Sequence, residues 1–175
     1  TRLVACSPGT LNIRFQSAID QGEADESWAF SDVTVIGSSG AVALLLSEDE
    51  AGGAVATGWS NSEVTNVGSA GTVHGPWGND ATDVSIDVPI PAGMSTCEVR
   101  WRSWAADSRD GEIDQVLIDG VVVWSLASQC HTGSDGWEAG PPDFPNPWGG
   151  QNGQVCFQEV RVIVACSGTM NLRFQ

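Results

Sequence analysis

The 175-residue sequence has no lysine and no tyrosine, and only two histidines. Its seven arginines stand against 22 acidic residues, which gives a formal net charge of −15 at pH 7. A chain this acidic lacks the basic footprint that nucleic-acid phosphates and anionic membrane surfaces require. The longest apolar block, Ala41–Leu46, is far shorter than the roughly 20 residues of a spanning helix. We therefore expect neither nucleic-acid binding nor membrane insertion.

Catalytic signatures are missing as well. The sequence contains no nucleophile elbow, no zinc-binding helix motif and no phosphate loop. The neighbouring carboxylates Asp25 and Glu26 would make a poor acid–base couple, because adjacent residues of a strand point to opposite faces. We predict that the protein is not an enzyme.

Alternation of apolar and polar residues dominates the sequence. It occurs in Leu11–Phe15, in Val84–Val88 and in Val160–Val164, with the period of two that is typical of β-strands. Asp119-Gly120 separates two further apolar runs and predicts a hairpin with a type I′ turn. No segment has a sustained helical period. We predict an all-β fold, an antiparallel β-sandwich or jelly roll with an N-terminal β-strand arm.

The composition divides the chain into three parts. Residues 1–46 are predicted to be an arm whose strands complete a neighbouring sandwich. Residues 47–54 have the composition of a polar, flexible linker, and residues 55–175 are predicted to be the sandwich body. Residues 41–50 fit either a short helix or a strand. The long loop 131–154 is expected to be functional or held in place by a disulfide.

The end of the chain repeats its beginning. Residues 164–175 match residues 4–16 apart from the additional Pro8 and two aliphatic exchanges. The offset is 175 − 16 = 159 residues after the proline. We interpret this match as a true internal repeat; the other interpretation is a pair of similar strands within one sandwich.

The repeat also explains an odd number of cysteines. If Cys6 and Cys166 hold the same position in successive units, each unit has four cysteines, which allows two disulfides and three connectivities. No cysteine or histidine spacing indicates zinc, so we expect oxidised bridges and an extracellular, secreted or cell-surface location. The preferred pairs are Cys130 with Cys156 and Cys97 with Cys166; the alternative is a buried free thiol.

Several motifs resemble a known family. They are Trp104–Glu112, Leu117–Trp124, Gly75–Gly78, Asp25–Val33 and Leu11–Phe15. Together they resemble a β-sandwich repeat of large extracellular proteins from algae and other single-celled eukaryotes. The chain departs from the family pattern within the first motif, where an arginine replaces the usual tryptophan.

The order of these motifs suggests how copies assemble. In the resembled repeat, the strand that matches 25–33 follows the strand that matches 170–174, whereas in this chain it lies near the N-terminus. The resemblance therefore implies an incomplete sandwich that the arm of another copy completes by β-strand addition. The expected assembly-strand residues are Leu11, Ile13, Phe15, Trp28, Phe30, Val33 and Val35.

We accordingly predict a structural subunit of an extracellular fibre. Copies or tandem repeats would join head-to-tail by strand donation into a linear or helical homopolymer, because a head-to-tail contact that does not close gives an open filament. The alternative is intramolecular: the arm folds back onto its own body and the protein is a monomer.

Two acidic groups are candidate calcium sites, because calcium prefers several loop oxygens. The other interpretation is a solvated acidic loop, since the spacing is not that of an EF-hand. The candidate ligands are Asp107, Asp110, Glu112 and Asp114, and more weakly Asp25 and Glu26.

A calcium-dependent, lectin-like carbohydrate-binding adhesion module is the alternative function. Trp137 and Trp148 in the long loop are the candidates for stacking on sugars, whereas Trp59, Trp101 and Trp104 are expected in the core. No Asn-x-Ser/Thr sequon occurs, so N-glycosylation is not expected, while the Ser-, Thr- and Pro-containing loops leave O-linked sugars open.

Overall fold

The computed structural model describes residues 9–23, 26–48, 57–107, 109, 111–127, 137–140 and 155–166. These residues form two antiparallel β-sheets packed against each other, so the predicted all-β sandwich is confirmed. The strands are β1 (Thr10–Ser17), β2 (Glu26–Ser38), β3 (Val42–Ser47), β4 (Val64–Asn66), β5 (Thr72–Trp77), β6 (Asp83–Pro89), β7 (Thr96–Asp107), β8 (Ile113–Ile118), β9 (Val121–Ala127), β10 (Glu138–Ala139) and β11 (Val155–Ala165).

The smaller sheet has the strand order β6-β1-β8-β9. Strand β1 is an inner strand, and Ile13 lies opposite Ile86 on one side and Ile118 on the other. Strands β8 and β9 form the predicted hairpin. Its two turn residues, Asp119 and Gly120, have φ angles of 49° and 78°, as a type I′ turn requires.

The larger sheet has the order β10-β11-β7-β2-β5-β4, with β3 also paired to β2. Strand β2 pairs with β7 over most of its length. On its other edge it pairs first with β5 and then with β3. The pairing with β7 shifts between Ser31 and Thr34, where Asp32 has a φ of 55°. This irregularity lets one long strand contact three neighbours.

Both strands of the predicted arm lie inside the sandwich of their own chain. Strand β1 lies between β6 and β8, and β2 lies beside β7. The described structure therefore has the intramolecular arrangement that the sequence left as an alternative.

Residues 42–48 belong to the folded sandwich, although the sequence predicted a helix or strand there and then a flexible linker. Residues 42–47 form strand β3. Glu48 is buried, and its backbone N–H donates to the carbonyl of Val33. A polar linker therefore does not begin at residue 47 as predicted; residues 49–54 lie outside the described part of the chain.

Aromatic side chains from both sheets build the core. Phe15 of β1 stacks on Phe30 of β2 with ring centroids 4.0 Å apart. The predicted core residues Trp59, Trp101 and Trp104 are all buried. Because the two sheets interlock through these rings, β1 and β2 are integral to the core.

Within the described ranges, no helix is long and apolar enough to cross a membrane.

Candidate functional site

The first candidate site is the position between β6 and β8 that Thr10–Ser17 occupies, called here the β1 slot. All predicted assembly-strand residues are buried, with exposed fractions of 0–4%. They belong to one core cluster, which both sheets build. These residues are Leu11, Ile13, Phe15, Trp28, Phe30, Val33 and Val35.

Polar side chains of β1 also have partners in the slot. The Asn12 side-chain amide donates to Asp87 Oδ1 at 2.8 Å, and its backbone N–H donates to Asp119 Oδ1 at 2.9 Å. Arg14 Nη2 donates to Asp83 Oδ2 at 2.6 Å. Strand β1 is therefore held in the slot by contacts on both its apolar face and its polar face.

The second candidate site is an acidic cluster of Asp20, Glu26 and Glu112. One carboxylate oxygen from each residue lies within 4.8 Å of the other two. Glu26 is fully buried, and Gln21 Nε2 donates to its Oε1 at 3.4 Å. Three carboxylates would supply part of the six to eight oxygen ligands that calcium takes.

Arginine 109 changes the predicted calcium ligand set. Its Nη2 atom lies 2.7 Å from Asp114 Oδ1, and its Nε atom lies 3.5 Å from Glu112 Oε2. A guanidinium therefore holds the position beside Asp114 that the sequence assigned to a metal ion. The side chain of Asp107 lies outside the described part of the structure, as does Asp110.

The structure combines residues from both predicted acidic groups. Glu26 comes from the weaker group and Glu112 from the stronger one, and Asp20 joins them. Asp20 belongs to the same acidic stretch of the sequence as Glu26, but only Asp25 and Glu26 were predicted as ligands from it. The pairing with Glu112 was not predicted, because only the tertiary fold brings the loop before β2 to the loop before β8. Asp25 lies outside the described residues.

Three of the five cysteines, Cys97, Cys156 and Cys166, lie in the described part of the chain. The buried Sγ atoms of Cys97 and Cys166 lie 2.8 Å apart, so the fold brings this predicted pair together. Cys156 is disulfide-bonded. Its predicted partner Cys130 lies outside the described residues, as does Cys6, so the connectivity stays a prediction.

The predicted sugar-stacking role does not fit Trp137. This side chain is 3% exposed and clusters with Ala105 and Cys156. It is part of the structural core, because a ring that stacks on a sugar must present one face to solvent. Trp148 lies outside the described residues.

Sequence reasoning missed a groove on the larger sheet. Arg100, Arg102 and Arg161 are among the residues that line it, and it is called here the arginine groove. Its volume is about 630 Å³. Arg100 and Arg161 both pair with Glu98, and they hold the pKa of that carboxyl below its usual range, Arg161 contributing most. Arg102 lies over the rings of Trp104 and Phe157. The alternation of Arg100 and Arg102 along one strand was the available signal.

A buried Glu48–His74–Trp59 network was also missed. Trp59 Nε1 donates to Glu48 Oε1 at 2.7 Å, and His74 Nε2 lies 3.2 Å from both carboxylate oxygens. All three residues are buried. The network ties the residue after β3 to β5.

Comparison with family models, curated proteins and solved structures finds no match to this chain.

Proposed function

We propose that the protein is a structural subunit of an extracellular fibre, in which copies or tandem repeats join head-to-tail by strand donation. The observation that carries this proposal is the β1 slot, because residues 10–16 of the strand that occupies it are repeated in residues 169–175. One slot and two matching segments provide the means to link one copy to the next.

The intramolecular position of β1 is compatible with such an exchange. In a strand exchange the same contacts form between copies as form within one copy. Backbone hydrogen bonds to β6 and β8 would supply affinity, and the alternating side chains would fix the register. The seven buried assembly-strand residues are thus the contacts that either arrangement uses.

The central experiment measures assembly against concentration. Purified chain is examined by analytical ultracentrifugation from dilute to concentrated solution, and the concentrated sample is imaged by negative-stain electron microscopy. We expect oligomers that grow with concentration and rods with an axial repeat of one sandwich. A stable monomer at every concentration, with no rods, would contradict the fibre function.

The acidic cluster supports the calcium-binding part of a second candidate function, a calcium-dependent carbohydrate-binding adhesion module. Asp20, Glu26 and Glu112 offer converging oxygens, and Arg109 offsets only part of their charge. A bound calcium ion would relieve the remaining repulsion.

Calcium titration calorimetry tests this alternative. We expect binding that Glu112→Gln weakens about ten-fold or more, the scale on which metal-site substitutions act. Glu138→Gln, at an exposed position of β10, is the matched control and should bind as the unaltered chain does. Unchanged calcium affinity in Glu112→Gln would exclude the acidic cluster as the calcium site. A glycan array with and without chelator then tests sugar binding.

A further inference from the structure

We infer that the donated strand is residues 169–175 of another copy, and that its acceptor is the β1 slot. This inference rests on the proposed function and identifies the two partners of the contact. It differs from donation by the N-terminal arm, because here the N-terminal strand is the occupant that a donor replaces.

Residues 169–175 are called here the replica. Their apolar side chains match those of β1 in the slot position by position. Leu11, Ile13 and Phe15 are 0%, 0% and 3% exposed and fill the core beneath the slot. The same positions in residues 169–175 carry Met170, Leu172 and Phe174. Exchanges among Leu, Ile and Met of similar volume are the substitutions that a core tolerates best.

The polar side of the replica matches equally. Asn171 takes the place of Asn12, whose side-chain amide donates to Asp87. Arg173 takes the place of Arg14, whose guanidinium pairs with Asp83. Core packing alone would need only the apolar alternation. Retention of the outward-facing residues indicates that the segment uses the same partners as β1.

Strand β11 ends only a few residues before the replica begins. Strand β11 ends at Ala165, and the Cys166 N–H donates to the carbonyl of Ser95 at 2.7 Å. Only Ser167 and Gly168 separate Cys166 from Thr169. A donated strand would therefore start almost directly at the donor's larger sheet, and the two sandwiches would be held close together.

Competition with β1 makes the exchange depend on concentration. The chain's own β1 is tethered to β2 by residues 18–25, so its effective concentration at the slot is on the order of millimolar. A donor from another copy offers nearly identical contacts and has no such tether. Donation is thus favoured in concentrated samples, in fibres that fix neighbouring copies, and wherever β1 is displaced.

Register-specific cross-linking tests the inference on full-length chains. Arg14 lies opposite Ser85 in the β1–β6 pair, so Arg173 of a donor should lie opposite Ser85 of its acceptor. Two differently tagged variants, Arg173→Cys and Ser85→Cys, are unfolded and refolded together at high concentration, and disulfide-linked peptides are identified by mass spectrometry. We expect a 173–85 link between the two chains.

The matched control moves the acceptor cysteine to Asp87, which lies opposite Asn12. This position is about 7 Å further along the strand, beyond the Cβ separation that a disulfide allows. We expect at least about ten-fold less link at 87 than at 85 on that geometry. A peptide of residues 9–17 should suppress the 173–85 link, and the same peptide with Ile13→Asp should not.

Equal linking at 85 and 87, or no link between chains at 85, would overturn the inference. The result also separates it from the proposed function. Rods without the 173–85 link would keep the fibre and reject this donor. The 173–85 link in a closed dimer without rods would keep the donor and reject the fibre.

Discussion

Among single residues, Arg109 determines the charge balance beneath the acidic cluster. Its side chain is fully buried, and it donates to the Ser17 hydroxyl and the Ser27 carbonyl as well as pairing with Asp114. It therefore connects β1, β2 and β8 through one guanidinium. A buried charge of this kind is costly unless every partner is in place.

Replacing Arg109 by leucine should leave the Asp114 carboxylate buried without its partner. We expect the free energy of unfolding to fall by about 3–5 kcal/mol, as for other broken buried pairs, measured by urea denaturation. Arg14→Leu is the matched control, because Arg14 and Asp83 are 41% and 43% exposed. Its loss should be about 0–1 kcal/mol. Equal losses for both variants would show that Arg109 has no special structural role.

Glu98 should make stability depend on pH on the acidic side. Arg161 and Arg100 lower the pKa of this carboxyl from its ordinary value of 4.5. A group with a lower pKa in the folded state stabilises the fold above that value, and the contribution disappears as the pH falls. We expect Glu98→Gln to destabilise the protein at pH 7 and to lose this effect toward strongly acidic pH, measured by urea denaturation at several pH values.

Glu23 should act with the opposite sign. Burial, with Glu63 and Asp80 nearby, raises the pKa of this carboxyl above 4.5. Its charged form therefore opposes folding, and stability is lost as the pH rises through the raised pKa. Glu23→Gln should be more stable than the unaltered chain at pH 7 and equal to it well below pH 4.5. The same stability at pH 7 in both proteins would contradict this assignment.

Among the strands, β3 is the one with the most exposed apolar side chains. It pairs only with β2 among the described residues, and Val42 and Leu44 are 77% and 63% exposed. An apolar edge strand is a template for unintended pairing between copies. Its role in assembly can be separated from that of the β1 slot.

Leu44→Lys should reduce non-specific aggregation, because a charged edge opposes strand pairing. Stability should change by less than about 0.5 kcal/mol, as is usual for exposed positions. Light scattering measures aggregation, and electron microscopy shows whether rods persist. Under donation into the β1 slot the rods persist; loss of rods would move the assembly contact to β3.

At the scale of the whole molecule, net charge opposes assembly. Every copy carries a formal charge of −15, so neighbouring copies repel one another at low salt. The contacts in the β1 slot are mainly apolar and backbone contacts, which salt affects little. Screening should therefore favour the proposed fibre.

Raising the salt from about 10 mM to about 150 mM shortens the Debye length from about 30 Å to about 8 Å. We expect the concentration at which oligomers form to fall, measured by sedimentation velocity at matched protein concentrations. Substituting a neutral osmolyte for salt controls for general solvent effects. Weaker assembly at the higher salt would indicate that attraction between charges holds the copies together.

The sequence by itself determined several of the strands and one turn. Alternation in Leu11–Phe15 and Val84–Val88 encodes strands because a pleated backbone has a period of two, and Asp119-Gly120 encodes its turn through positive φ angles. Strand alternation and turn residues are local properties, so they can be recognised in the sequence without knowledge of the tertiary structure. The duplication of residues 4–16 in residues 164–175 is likewise visible in the sequence alone.

The tertiary structure decided which strands are neighbours and which charges meet. The acidic cluster joins Glu26 to Glu112, and Arg109 neutralises Asp114 where a metal ion had been predicted. Trp137 is buried rather than exposed. Each of these outcomes depends on contacts between residues far apart in the chain. A one-dimensional pattern does not contain them, because strand pairing and sheet packing bring them about only in the folded molecule.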